Sequence, residues 1–95
     1  MAILSFKDGR CEAIHNGHHP GKGFPADLLR VTKRKLAMLD AALILEDLRR
    51  PPGNHLEALA GNRAGQHSIR VNDQHRLCFT WTPAGPMEVE FTDYH

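Results

Sequence analysis

Between Gln66 and Phe91 the chain alternates apolar and polar residues in three runs parted by short turns, a pattern that fits strands and not a helix. Gln66 to Val71 sets His67, Ile69 and Val71 on one parity and Ser68 and Arg70 on the other. Asn72-Asp73-Gln74 supplies a turn, and His75 to Trp81 alternates again, with Leu77, Phe79 and Trp81 inward and Arg76, Cys78 and Thr80 outward. Thr82-Pro-Ala-Gly-Pro86 makes the next turn, and Met87, Val89 and Phe91 mark a last strand. Short connections of this kind join antiparallel neighbours, so the second half is expected to form a meander.

The first half has a different period. From Pro25, Leu29, Thr32, Leu36, Leu39 and Leu43 recur at helical spacing, with Arg30, Lys33, Arg34 and Lys35 beside or opposite the stripe. Pro25 and Asp27 suit the start, the pattern runs to about Leu45, and Pro51-Pro52-Gly53-Asn54 stops it. Ile3 to Phe6 reads as a first strand, residues 10–16 as a short helix, and His15 to Pro25 is too rich in turn residues for regular structure. Helices followed by an antiparallel sheet make a single α+β domain spanning residues 1–95.

Composition excludes several classes. With 41% hydrophobic and 24% charged residues the chain is an ordinary globular protein, and no apolar run reaches the length of a membrane span. Two cysteines, Cys11 and Cys78, build no disulfide framework, which points to a reducing cytoplasm. A net charge of +1 argues against strong indiscriminate binding of nucleic acid, although Lys33–Lys35, Arg63, Arg70 and Arg76 supply local positive charge.

Gly53 to Asn72, with its Gly61-Asn-Arg-Ala-Gly65 turn and His67-Ser-Ile-Arg run, then Gln74-His-Arg-Leu-Cys-Phe79 and the ending Asp93-Tyr94-His95, resembles the HigB-type toxins of the RelE-like superfamily. The likeness extends over about residues 25–95 and includes the helical stretch Arg34–Ala42. It implies a RelE-like domain, with an N-terminal strand and helices packed on a curved antiparallel sheet. It also implies a ribosome-dependent, metal-free endoribonuclease that cleaves translating mRNA and arrests growth. The expected partners are the ribosome, its message and a HigA-like helix-turn-helix antitoxin, through which alone the toxin reaches operator DNA. No cofactor and no membrane enters.

Cleavage of RNA without a metal needs the 2′-hydroxyl activated, the leaving 5′-oxygen protonated and the phosphorane charge stabilised. His95 suits acid–base work because imidazole titrates near neutrality; elsewhere a histidine so placed is ordinarily a frayed tail. By the resemblance Asp93 orients it or exchanges protons, and Tyr94 donates to phosphate or stacks on a base, the alternative being an aromatic that closes the sheet edge. Arg76 resembles the family's phosphate-binding arginine, with a cross-strand salt bridge to Glu88 or Glu90 as the competing assignment. Arg63, Arg70 and His67 are candidate RNA contacts, and His67 equally suits packing against the helix.

Two positions depart from the pattern. Glu57 stands where some relatives carry a catalytic histidine; it is a candidate base or an ordinary surface carboxylate. Ala60 stands where a lysine is common and offers no chemistry, so weakened cleavage follows unless Arg63 or Arg70 reaches the same phosphate. Two other functions stay open: a non-enzymatic binder resembling the ParE-type gyrase inhibitors, and a weakened toxin acting mainly as an antitoxin-binding module. Cys11, His15, His18 and His19 lie close enough in sequence for a zinc site, but structural zinc usually draws ligands from two elements and the resemblance calls for no metal.

Overall fold

The computed structural model describes residues 2–93, so the Tyr94 and His95 assignments lie outside the described residues. Helix α1 spans Gly9–His15 and α2 spans Leu29–Ala41. Strands β1 (Glu57–Ala58), β2 (His67–Arg70), β3 (His75–Thr82) and β4 (Gly85–Asp93) pair antiparallel in the order β1-β2-β3-β4. This is the expected α+β architecture, and the meander is its sheet.

Leu36 and Leu39 of α2 and Cys11 and Ile14 of α1 pack with Ile69, Leu77, Phe79, Val89 and Phe91 from one face of the sheet. Alternation therefore leaves the residues of opposite parity for the other face. Along β4 it is interrupted. Cys78 pairs with Glu90 but Thr80 pairs with Met87, so β4 carries one extra residue, and Glu88 there has φ 54°. This bulge places Met87 opposite Thr80 rather than in step with Val89 and Phe91, a slip that simple alternation does not anticipate.

Three local expectations are modified. The segment Ile3–Phe6 lies along β4, with Leu4 N donating to Pro86 O (2.8 Å) and Lys7 N to Val89 O (3.0 Å), but only Phe6 forms a parallel bridge, to Val89. It builds no longer strand because Asp8 immediately begins α1. Next, α2 opens with a 3-10 turn over Ala26–Leu28 and ends at Ala41, short of Leu45. The Asp47 carboxylate accepts from the backbone N–H of Leu43 (2.9 Å) and Ile44 (3.2 Å), which draws the chain out of the helix. Leu43 is therefore 66% exposed and not part of the buried stripe. Finally, Lys35 is not a solvated cation: it is 5% exposed, and its Nζ donates to the fully buried Asn54.

Asp8 joins the first helix to the sheet. Its carboxylate accepts from Arg10 N (2.9 Å) as the helix cap, from the Arg10 guanidinium (3.0 and 2.9 Å) and from Phe91 N (3.2 Å). Burial acts to raise its pKa, but the Arg10 side chain and these backbone donors outweigh it and hold the group below 3.8. Asp8→Ala is expected to cost about 2 kcal/mol at pH 7, combining a lost cap with a stranded donor. A carboxylate whose folded pKa is depressed contributes fully above its unfolded pKa and loses that contribution as pH falls through the folded value. Urea titrations at pH 7 and pH 3 should therefore show the gap between wild type and Asp8→Asn narrowing in acid.

Candidate RNA-facing site

The sheet face turned away from the helices holds most of the candidate site residues. Register places Glu57, Ser68, Cys78 and Glu90 on one rung, and Arg70, Arg76 and Thr92 on the next. Like charges directly opposed across a ladder repel, so Arg70 and Arg76 need separate partners. Arg70 turns to Asp73 at the β2–β3 turn. Arg76 donates from Nε to Ser68 Oγ (2.6 Å) and from Nη2 to the carbonyl oxygen of His55 (2.6 Å).

Arg63, in the 3-10 turn Gly61–Arg63, reaches across the same face to Glu90 (2.6 Å) and Gln66 Oε1 (3.0 Å). Glu90, one of the two carboxylates weighed as the competing partner of Arg76, forms a salt bridge with Arg63, while Glu88 stands exposed on the bulge. Cys78 is fully buried on this nominally polar face. Burial pushes its thiol pKa up, against opposing influences from Thr92 and Arg63. Glu57 is exposed on the short edge strand, and Ala60 is exposed at the entry to the Arg63 turn.

Two predicted contacts lie elsewhere. His67 pairs with Phe79 and stacks on it (centroids 6.3 Å apart, 24° between planes), on the core side of the sheet. His67 thus packs, here onto a neighbouring strand where the sequence suggested the helix, and this does not bring it to Arg76. Asp93 pairs with His75, so alternation sends it to the opposite side from Arg76, and its carboxylate accepts from Gln74 Nε2 (2.8 Å). It is nevertheless only one rung from the Arg76–Thr92 pair.

A model of the RelE-like HigB toxin of type II toxin–antitoxin systems matches residues 4–95. Toxin HigB-1 of Vibrio cholerae serotype O1 is 45% identical over 78 residues, covering 82% of each chain. The chain belongs to the HigB-like toxins. An uncharacterized protein of Haemophilus influenzae is 46% identical over 57 residues, 60% of this chain and 56% of that one. Membership makes this HigB-like chain the toxin half of a toxin–antitoxin pair, with an antitoxin as partner.

The histidine and cysteine cluster near α1 is dispersed in this toxin. Cys11 is buried, and burial first, with Asp8 second, pushes its pKa up to about 12. The His15 ring lies tilted against Phe6 (centroids 5.8 Å apart) and 3.5 Å from Asp40, whereas His18 and His19 are exposed. Among the described residues no three His, Cys, Asp or Glu side chains are grouped to hold a metal, and no helix is long and apolar enough to cross a membrane. A recess of about 350 Å³ lies between the helices, lined by Ile14, His18, Leu29, Arg30 and Lys33, away from the polar sheet face.

Sequence parity correctly grouped Ser68, Arg70 and Arg76, yet it singled out neither Ser68 nor Gln66 as a partner of an arginine, and it offered Glu90 to Arg76 and not to Arg63. The signal was a small hydroxyl residue diagonal to Arg76, which becomes meaningful only with the register in hand. Asn54 and Lys35 were hidden more deeply. Nothing in a Pro-Pro-Gly-Asn stop signal announces that its asparagine will bury a lysine.

Proposed function

We propose that this HigB-like toxin is a ribosome-dependent endoribonuclease of the cytoplasm that cuts translating mRNA with its own side chains. The observation that carries the reading is Arg76: a guanidinium held by Ser68 and His55, beside a second arginine, one rung from the end of β4. Adjacent cations on one face favour a phosphodiester, and a fixed planar guanidinium suits the charge of a phosphorane.

In the proposed step the 2′-oxygen attacks the neighbouring phosphorus and loses its proton to a base. The phosphorus–5′-oxygen bond breaks, and the 5′-oxygen takes a proton from an acid. The products are a 2′,3′-cyclic phosphate and a 5′-hydroxyl. Glu57 and His95 serve as the acid–base groups, Tyr94 supports them, and Arg76 bears the phosphorane charge. Asp93 acts on His95 and not at Arg76, from which alternation turns it away. Arg63 and Arg70 contact flanking phosphates in exchange for Glu90 and Asp73. Ala60 leaves one cation fewer, which sets a modest rate.

Induced expression is expected to stop growth and to produce transcripts cut within translated regions, and His95→Ala or removal of His95 should relieve both. Co-expression of the cognate helix-turn-helix antitoxin should also restore growth. Equal toxicity without His95 would refute the acid–base assignment. Inhibition of gyrase supercoiling with messages left intact would instead place the protein with the gyrase-directed branch.

A further inference from the structure

We infer that Arg76 is aimed by two positioning groups, the Ser68 hydroxyl and the main-chain carbonyl of His55. The inference rests for its functional consequence on the nuclease reading. Ser68 is fully buried in the sheet, and its Oγ takes the Nε–H of Arg76 at 2.6 Å. His55 adopts φ 45°, ψ 55°, left-handed backbone that is costly for a residue with a Cβ. Its exposed imidazole makes no hydrogen bond among the described residues that would explain this conformation. The carbonyl does have a purpose there: it accepts from Arg76 Nη2 at 2.6 Å.

Such strain persists only where the surroundings impose it, and the residue before it is locked. Asn54 is fully buried, receives Lys35 Nζ on its side-chain oxygen and donates from Nδ2 to Leu48 O (3.0 Å). A chain of contacts therefore runs from α2 through Lys35 and Asn54 to the turned carbonyl of His55, and from there to the guanidinium. Short contacts from different elements, one on Nε and one on a terminal nitrogen that also approaches Ser68 O (3.5 Å), fix both the plane and the direction of the group. A guanidinium so fixed need not reorganise as the phosphorane forms, so the benefit should fall on the chemical step and not on binding.

The test uses the full-length protein with Ser68→Ala, His55→Val and His55→Gly, each checked for folding by thermal unfolding. Ser68→Ala and His55→Val, whose branched side chain resists left-handed backbone, should each lower kcat about tenfold with little change in KM. Glycine adopts the same φ freely, so His55→Gly should recover most of what valine loses. Independently of activity, the Arg76 Nε–H resonance, assigned by its loss in Arg76→Lys, should exchange with water at least about tenfold faster in Ser68→Ala than in wild type. Wild-type exchange as fast as that of an exposed arginine, or unchanged kcat in both Ser68→Ala and His55→Val, would overturn the inference. A folded wild type that cuts nothing defeats the nuclease reading instead, and the exchange measurement then decides alone whether Arg76 is held.

Discussion

Arg76→Ala is expected to slow message cleavage on the ribosome by about a hundredfold or more, the usual consequence of deleting an electrostatic stabiliser of a transition state. Stability should change far less. The variant strands the Ser68 hydroxyl, at about 1 kcal/mol, and relieves the repulsion between Arg70 and Arg76, which offsets part of that. Arg76→Lys should recover only a small fraction of the rate. An ammonium restores the charge, but it cannot reach Ser68, the His55 carbonyl and a phosphate in one plane. Single-turnover cleavage beside thermal unfolding separates the two effects, and a rate loss no larger than the stability loss explains would count against Arg76 as the phosphate group.

Periodicity was a good guide wherever one face of an element is buried. The parity of Ile69, Leu77 and Phe79 and the stripe of Leu36 and Leu39 all reappear as core. It failed where a single side chain captures the backbone. Asp47 ends α2 early, Asp8 turns the first segment into a helix cap, and the bulge at Glu88 puts Met87 out of step. The candidate face was legible as a list of charged residues, since Arg63, Arg70, Arg76 and Glu57 share that face or its border. Their pairing was not legible, because Arg63 with Glu90 and Arg76 with Ser68 depend on which rungs meet. His67 was ambiguous in sequence because both of its candidate environments are half-buried, and only pairing with Phe79 assigns its side of the sheet.

Asn54→Ala should be the most destabilising polar substitution proposed here, by about 2–4 kcal/mol, because it deprives a buried ammonium of its acceptor and leaves Leu48 O unpaired. Burial, and then the nearby charges of Arg34 and Arg70, already hold the Lys35 pKa below its ordinary 10.5. The folded state therefore sheds this proton before the unfolded chain does, and stability should rise with pH across the interval between the two values. Asn54→Ala should steepen that rise, since the charged form loses its remaining partner. Replacing both members, as Lys35→Met with Asn54→Leu, should recover part of the loss, because no buried charge then remains. Denaturant unfolding at pH 7 and pH 9.5 reads all three. A loss below about 0.5 kcal/mol for Asn54→Ala would mean that Lys35 finds water at little cost.

The claim that the outer face of this sheet cuts ribosome-bound RNA is tested most directly by mapping the ends of one defined message. The message is incubated with the full-length protein, either free in solution or on translating ribosomes. Discrete new 5′-hydroxyl ends should appear only in the ribosome-bound sample and should disappear with Arg76→Ala. A folded wild-type protein that leaves the translated message whole, or an Arg76→Ala protein that cuts at the same positions and rate, would contradict the account.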